Sequence, residues 1–400
     1  MKKILFVINT LGTAGAETAL LELLNSLNRP EYEISLYVLT GQGELVQKLP
    51  KDVRLLNTSF NAHSVLSKEG RNDLRKTVLR AFFRNGHMGR KVVEMLRNFM
   101  SMYRSGKILA DKILWRMMAE GAERFEETYD LAVAYLEGGS TYYVADYVHA
   151  KKKAAFVHID YESSGYTKEM DRDCYEKMDR IFTVSAESKK HFLKVYPQYC
   201  EKTKVFHNII NQERIRLEAE KEGGFPDTYD GIRLLTVGRL TYQKGYDIAI
   251  DAMSILKQKG VRARWYILGE GNERAALEKK IANLGLEEEF LLIGAVENPL
   301  PWYAQTDIYV HATRFEGKSI AIQEAQTLGC AILASDCNGN REQIIPDVDG
   351  VLCELTPEKI AFSILDLIED EGKRKRLREA AAKKTIVHEE ELQQLTELLN

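Results

Sequence analysis

Two glutamates, Glu316 and Glu324, stand with seven residues between them in "TRFEGKSIAIQEA", residues 313 to 325. The chain passes there from the strand-like "DIYVHA" through a turn into the helical spacing of "SIAIQEAQTL". Gly329 closes that helix at a position suited to a left-handed end. Ser319 is placed as an N-cap, so the N–H groups of about residues 319 to 321 are expected to face the top of a sheet and bind phosphate oxygens. Carboxylates beside such an anion site can accept hydrogen bonds from sugar hydroxyls. A charged Glu324 on the core side of its helix needs a partner. The plainer alternative has Glu324 facing solvent and Glu316 capping something local.

Three other loops carry candidate chemistry. In "TVGRLTYQKGYD", Arg239 follows a strand and Gly238, and Lys244 comes five residues later, before Gly245. Two cations at the C-terminal end of a parallel strand can hold a diphosphate; two exposed basic residues in a loop are the alternative. "LGEGNER" sets Gly269 and Gly271 between a strand and a helix, either edging a nucleotide or making a tight turn. "NTLGTAGAET" brings Ala14, Gly15 and Ala16 to a helix start near Glu17, where small residues let the backbone approach an anion. No G-x-G-x-x-G occurs, which argues against a dehydrogenase.

These loops need a scaffold, and the pattern supplies an α/β one. Apolar, β-branched runs alternate with helical patterns: "ILFVIN" (4–9), "ISLYVL" (34–39), "DLAVAYL" (130–136), "AAFVH" (154–158) and "IFTVS" (181–185). The rhythm restarts with "KVFHN" (204–208), "RLLTVG" (233–238), "RWYILG" (264–269), "FLLIG" (290–294), "DIYVHA" (307–312) and "AILASD" (331–336). Continuous apolar strands divided by helices imply parallel sheets covered on both faces. Two series imply two Rossmann-like domains, 1–200 and 201–375, with a cleft between them as the expected ligand site and a tail helix in 376–400. The chain's 400 residues also exceed what one core usually organises.

A net charge of −3 argues against a dedicated nucleic-acid binder. Five cysteines without C-x-x-C spacing point to a reducing cytoplasm rather than to disulfides or zinc. "MKKILFVIN" reads as a buried first strand rather than a secretory signal, and no apolar run is long enough to span a bilayer. Residues 68–116 hold thirteen Lys/Arg against four Asp/Glu, interleaved with "AFF", "MLRNFM" and "ILWRMM". This basic insertion is either a solvated face over a helical core or a surface for anionic lipid. Two DxD triplets, Asp171/Asp173 and Asp347/Asp349, fall in a helical pattern and a turn, so no metal site is assigned to them.

The paired glutamates, with "RFEG" before and "EAQTLGCAILASD" after, resemble the signature of glycosyltransferase family 4, whose fold is GT-B. "TAGAE", "FVHID", "FTVSAES", "VFHNIIN", "VGRLTYQKGYD", "LGEGNER", "LIGAV" and "ASDCNGNREQI" follow in that family's order, over nearly the whole chain except the basic insertion. The resemblance implies a metal-independent retaining hexosyltransferase acting on a nucleotide-diphosphate sugar, with no cofactor. Arg239 and Lys244 would neutralise the diphosphate, Glu324 would hold the ribose, and Glu316 would contact the donor sugar. The backbone of Gly317, Lys318, Ser319 and Ile320 would bind phosphate or sugar hydroxyls. Ala14, Gly15 and Ala16 would let the first loop approach the diphosphate, with Gly238 and Gly269 lining the donor site and His158 beside the reacting carbon, and the tail helix of 376–400 would return to the first domain. The family's proposed mechanism is a front-face substitution in which the donor's own phosphate oxygen takes the acceptor proton.

Three departures stand out: "AGAE" for a common double glycine, Lys318 and Ser319 for an aromatic and a small residue, and His311 where proline is frequent. The expected donor is a UDP-hexose or UDP-N-acetylhexosamine, then GDP-mannose. The expected acceptor is a glycan, in the first instance lipid-linked, for capsule, exopolysaccharide or wall polymer. The expected location is cytoplasmic, with the inner membrane face as an option. A sugar-nucleotide epimerase or hydrolase and a non-catalytic nucleotide-sugar-binding scaffold are the alternatives.

Overall fold

The computed structural model describes residues 1–400 apart from 14, 28, 66, 107–109, 160, 163 and 387. Two compact units result: Met1–Ile209 with Val387–Asn400, and Ile210–Ile386.

The first unit holds a seven-stranded parallel sheet of β1 (Lys2–Ile8), β2 (Tyr32–Val38), β3 (Arg54–Leu55), β4 (Thr128–Ala134), β5 (His149–Val157), β6 (Arg180–Thr183) and β7 (Thr203–Val205). Its order is β3-β2-β1-β4-β5-β6-β7. The second unit holds β8 (Ile232–Val237), β9 (Ala263–Leu268), β10 (Phe290–Gly294), β11 (Ile308–His311), β12 (Ala331–Ser335) and β13 (Val351–Cys353), in the order β10-β9-β8-β11-β12-β13. Central strands such as β1 and β12 are buried along most of their length, as strands covered on both faces must be. In each sheet the order reverses beside the first strand, between β1 and β4 and between β8 and β11. Parallel α/β sheets bind ligands outside the strand C-termini at such a reversal.

Sequence rhythm misplaced two boundaries. "KVFHN" was expected to open the second domain, but β7 pairs with β6 at the edge of the first sheet, so the units divide after Ile209 rather than at 200. Apolar alternation shows that a segment is a strand, not which sheet it joins. At the other end, residues 376–383 continue the helix Glu371–Lys383, whose Leu377 and Ala381 are buried in the second unit. Only Val387–Asn400 goes with the first unit. There Leu395 and Leu399 pack with Ile4 and Phe6, and the Lys2 ammonium donates to the Leu399 carbonyl at 2.6 Å.

The basic insertion forms three helices, Lys68–Phe83, Met88–Ser105 and Ala110–Glu120. The third is a strut. Arg116 is buried, its guanidinium donating to the carbonyls of Met170 and Asp171 and to Asp146, and lying over the Tyr142 ring at 4.2 Å.

Candidate active site

The reversal between β8 and β11 brings together two loops distant in sequence. Gly245 takes φ +62°, and a Cβ there would meet the Ala312 carbonyl oxygen at 2.6 Å, so only glycine permits this approach. The Arg314 N–H donates to the Gln243 carbonyl at 2.8 Å, and the Thr313 hydroxyl to the same oxygen at 3.0 Å. The Arg314 guanidinium grips both carboxylate oxygens of Asp247 at 2.9 and 2.7 Å and lies 3.9 Å over the Tyr242 ring. The "YQKGYD" and "TRFEG" turns are thereby clamped to one another.

The clamp sets Lys244 on Glu316. Their ion pair is largely buried, with side chains 16% and 14% exposed. His311, at the end of β11, brings Nε2 to 3.1 Å from the same Glu316 oxygen and Nδ1 to 3.1 Å from the Tyr309 hydroxyl. Burial, and then the nearby Lys244 ammonium, hold the His311 pKa below its ordinary value. A neutral ring serving both partners donates from Nε2 to the carboxylate and accepts at Nδ1 from the phenol. Burial by itself would raise the Glu316 pKa, but the charge of Lys244 and the hydrogen bond from His311 outweigh it and hold the carboxyl at about 2. Glu316 is therefore an anion throughout the physiological range. Glu324 lies half-buried on the helix Ile320–Thr327. Its charge is felt by the buried hydroxyls of Tyr303 and Tyr309, whose pKa values burial first and Glu324 further raise. Tyr309 thus senses both glutamates.

Other expected residues fall around this pair. Gly238 follows β8, its Cα so close to the Lys244 stem that a Cβ would lie 3.4 Å from Lys244 Cε; its carbonyl accepts from the Tyr246 hydroxyl at 2.8 Å. Arg239 is exposed in the same loop, with no ion pair or side-chain hydrogen bond among the described residues. Gly269 has a packing role: a Cβ there would lie 2.0 Å from the Gly238 carbonyl oxygen. The Leu240 N–H donates to the Glu270 carbonyl at 2.9 Å, fastening the "LGEG" turn to the "VGRL" turn.

The helix start differs from expectation. Ser319 occupies the N-cap position, but its side chain makes no capping hydrogen bond, and its N–H donates to Gln343 Oε1 at 2.7 Å while Gln343 Nε2 donates back to the Ser319 carbonyl at 2.8 Å. An amide satisfied by a buried side chain is not on offer to a phosphate, so the expected run of anion-binding N–H groups loses Ser319 and can start no earlier than Ile320. Gly317 and Lys318 lie in the turn, partly buried. A Cβ on Gly339 would meet the Gly317 oxygen at 2.0 Å, so the "NGNR" turn backs directly onto Glu316 and Gly317.

In the first unit, the other reversal gathers a second set. His158 follows β5; its N–H donates to Glu137 Oε2 at 3.1 Å, and its ring packs on Tyr135 and Phe156 with centroids at 5.0 and 6.0 Å. Burial depresses its pKa to about 4, and its Nε2 is buried with no hydrogen-bond partner among the described residues. Asn9 ties the loops together, donating to the Glu137 carbonyl at 3.1 Å and accepting from the Ser140 N–H at 2.7 Å. Gly15 and Ala16 begin the helix Gly15–Leu27, two residues before the expected start; Ala14 lies outside the described residues. Asp171 is spent on three tyrosine hydroxyls, and Asp349 on the Ile345 N–H and Lys384.

Sequence reasoning named His311 only as a departure from proline and passed over Tyr309, Gln343, Glu137 and Asn9. Strand alternation placed His311 at a strand end facing the Glu316 turn, and that was the available signal. Gln343 gave none, because its partner Ser319 lies 24 residues away.

Comparison with known proteins bears on this geometry. Residues 220–384 match the family described as Glycosyl transferases group 1. A Campylobacter jejuni N-acetylgalactosamine-N,N'-diacetylbacillosaminyl-diphospho-undecaprenol 4-alpha-N-acetylgalactosaminyltransferase is 30% identical over 203 residues, 50% of this chain and 54% of that protein. The chain thus spans about half the length of this relative, and 44% of an uncharacterized Methanocaldococcus jannaschii glycosyltransferase that is 26% identical over 44% of this chain. A second C. jejuni enzyme, an alpha-1,4-N-acetyl-D-galactosaminyltransferase acting on a diphospho-undecaprenol-linked glycan, is 24% identical over 94% of this chain and 92% of its own. Among solved structures, Anabaena HepE in complex with UDP has a TM-score of 0.64 at 18% identity, covering 100% of this chain and 99% of that one. Its likeness is one of fold. Residues 220–384 are accordingly a glycosyl transferases group 1 domain, within a chain that has the GT-B fold of glycosyltransferases.

Proposed function

We propose that this protein is a retaining glycosyltransferase of family 4 that moves a sugar from a UDP-sugar to a hydroxyl of a lipid-linked glycan. The observation that carries the reading is the Lys244–Glu316–His311 cluster at the C-terminal ends of β8 and β11, next to the N-terminus of the helix Ile320–Thr327. A held carboxylate, the ammonium paired with it and the N–H groups at the helix start suit one ligand: an anionic diphosphate carrying a polyol.

Lys244 changes partner in this reading. Its ammonium leaves Glu316 for the donor diphosphate, joined there by the exposed Arg239 and the N–H groups from Ile320 onward. Glu316 keeps the His311 hydrogen bond and turns its other oxygen to a sugar hydroxyl, while Glu324 accepts from the ribose. As the sugar departs with oxocarbenium character, the cations stabilise charge growing on the leaving diphosphate, and a donor phosphate oxygen takes the acceptor proton. His158, neutral and with an Nε2 that has no hydrogen-bond partner among the described residues, is assigned to orienting the sugar. Charge neutralisation rests on side chains, so turnover is expected to survive a metal chelator.

The choice of a lipid-linked acceptor and UDP follows the C. jejuni relatives, which act on diphospho-undecaprenol glycans by their names, and HepE, which was solved with UDP. Calorimetry with UDP and GDP, on the protein and on Glu324→Ala, tests the donor assignment. UDP should bind, and the variant should bind about tenfold more weakly, near 1.4 kcal/mol. An unchanged affinity would remove Glu324 from the site. Turnover of donor without transfer to any acceptor would favour the epimerase or hydrolase alternative.

A further inference from the structure

The helix Met88–Ser105 is amphipathic in the reverse sense. Its protein-facing side is mostly polar: beside Met102 and Met95, which pack inward, Lys91, Asn98 and Ser101 are buried at 0%, 1% and 9% exposure. Each has a partner that fixes the helix in place. The Lys91 ammonium donates to the carbonyls of Ala81, Phe82 and Arg84 at 2.8, 3.0 and 2.5 Å, closing the C-terminal end of the helix Lys68–Phe83. Asn98 donates to the Ile113 carbonyl, and the Ser101 hydroxyl meets Thr167 and Glu169 at 2.7 and 3.1 Å.

The opposite side is apolar and faces solvent. Val92, Leu96, Phe99 and Tyr103 recur at helical spacing along one stripe, 41%, 57%, 43% and 70% exposed, with Val93 and Met100 beside them. Leu79 and Phe83 extend the patch on the preceding helix at 58% and 63%. Contiguous exposed apolar surface of this kind marks an interaction site. Its border is cationic: Arg75, Arg80, Arg97 and Arg104 are exposed and have no ion pair among the described residues. Arg97 and Arg104, two helical turns apart, line a cleft of about 440 Å³ with Met100, Ser101, Thr167 and Glu169. An apolar stripe flanked by arginines is how a helix lies in the plane of a bilayer interface, its side chains among acyl chains and its guanidinium groups at phosphate depth. No described helix is long and apolar enough to cross a membrane.

We infer that the outward faces of the helices Lys68–Phe83 and Met88–Ser105 dock on an anionic lipid bilayer, with Leu79, Phe83, Leu96, Phe99 and Tyr103 inserted and Arg97 and Arg104 on lipid phosphates. The inference goes beyond the catalytic reading and does not rest on it. It takes the lipid-surface reading of residues 68–116 over the solvated-face one and narrows it: the helix Ala110–Glu120 is left out, because its Met117, Met118 and Ala119 are in the core.

Co-sedimentation of the full chain with vesicles of phosphatidylcholine, with and without phosphatidylglycerol, tests it. Binding is expected only with the anionic lipid, falling steeply with salt. Leu96→Glu/Phe99→Glu should weaken it at least tenfold, and Arg97→Gln/Arg104→Gln severalfold. Leu217→Glu, which alters an exposed leucine of the second unit, should leave it unchanged. Thermal melts of every variant should match the parent, since only exposed side chains are altered. Equal binding to neutral vesicles, loss of vesicle binding on adding glycerol phosphate, or light scattering showing a dimer that ignores vesicles would each overturn the proposal. The last two would assign the face to a free anion or to a second copy of the chain.

Discussion

Asp171 in the first unit and Glu316 in the second are both buried carboxylates wrapped by polar groups, yet they titrate in opposite directions. Asp171 accepts from the hydroxyls of Tyr142, Tyr161 and Tyr196 at 2.8, 2.5 and 2.6 Å. Burial nevertheless raises its pKa, because three neutral donors and the charge of Arg116, which spends two of its bonds on backbone carbonyls, do not make up for lost water. Glu316 is also desolvated, but a lysine sits directly on it, and its pKa is about 2. The tyrosine nest joins the segment around Asp171 to the aromatic core of Tyr161, Tyr175, Phe192 and Tyr196. Around Glu316, the charge is balanced by a directly paired cation, Lys244. A carboxylate ringed by neutral donors keeps a raised pKa, whereas one paired with a lysine at a sheet's reversal is held as an anion.

Removing Lys244 should give the largest effect. Lys244→Ala is expected to lower kcat/KM by about 100- to 1000-fold, or about 3–4 kcal/mol of transition-state stabilisation. It should also depress the melting temperature, since Glu316 is left charged and half-satisfied. Near-normal turnover would place Lys244 outside the chemistry. Asp171→Asn sharpens the other side of the comparison. An amide replaces one acceptor oxygen with a donor facing at least one tyrosine hydroxyl, at a cost of about 1–3 kcal/mol in urea unfolding. Nucleotide affinity should not change, and a selective loss of it would mean the nest serves the site.

The smallest expected effect is the pH signature. Glu316 has a depressed folded pKa, so its contribution to stability is complete above its ordinary 4.5 and is lost as pH falls toward about 2. Asp171 has a raised folded pKa, so its contribution is complete below its ordinary 3.8 and is lost as pH rises through the folded value. Glu316→Gln should flatten the acid limb of the stability curve, while Asp171→Asn should remove a loss on its rising side. Identical curves for both variants would dissolve the distinction.

Much of this was legible beforehand. Eleven apolar runs became strands, and the glutamate pair, Lys244 and Gly238 gather at one reversal, because strand periodicity and turn residues are local properties. Where the reading went astray, the deciding contact was remote. β7 joined the first sheet through β6, and the Ser319 amide went to Gln343. In the sequence the basic insertion stays open between a solvated face and a lipid surface, because the contacts of Lys91, Asn98 and Ser101 that fix which side of the helix Met88–Ser105 turns inward come from other segments.

By itself the sequence determined two parallel α/β units and the loops that carry charge. Only the tertiary structure decided that Lys244 rests on Glu316 with His311 as third partner, that Asp171 is architectural, and that the insertion turns its apolar side outward. The physical reason is common to all three: the pKa of a carboxylate and the face a helix buries are set by the groups that surround them, and those groups arrive from elsewhere in the chain.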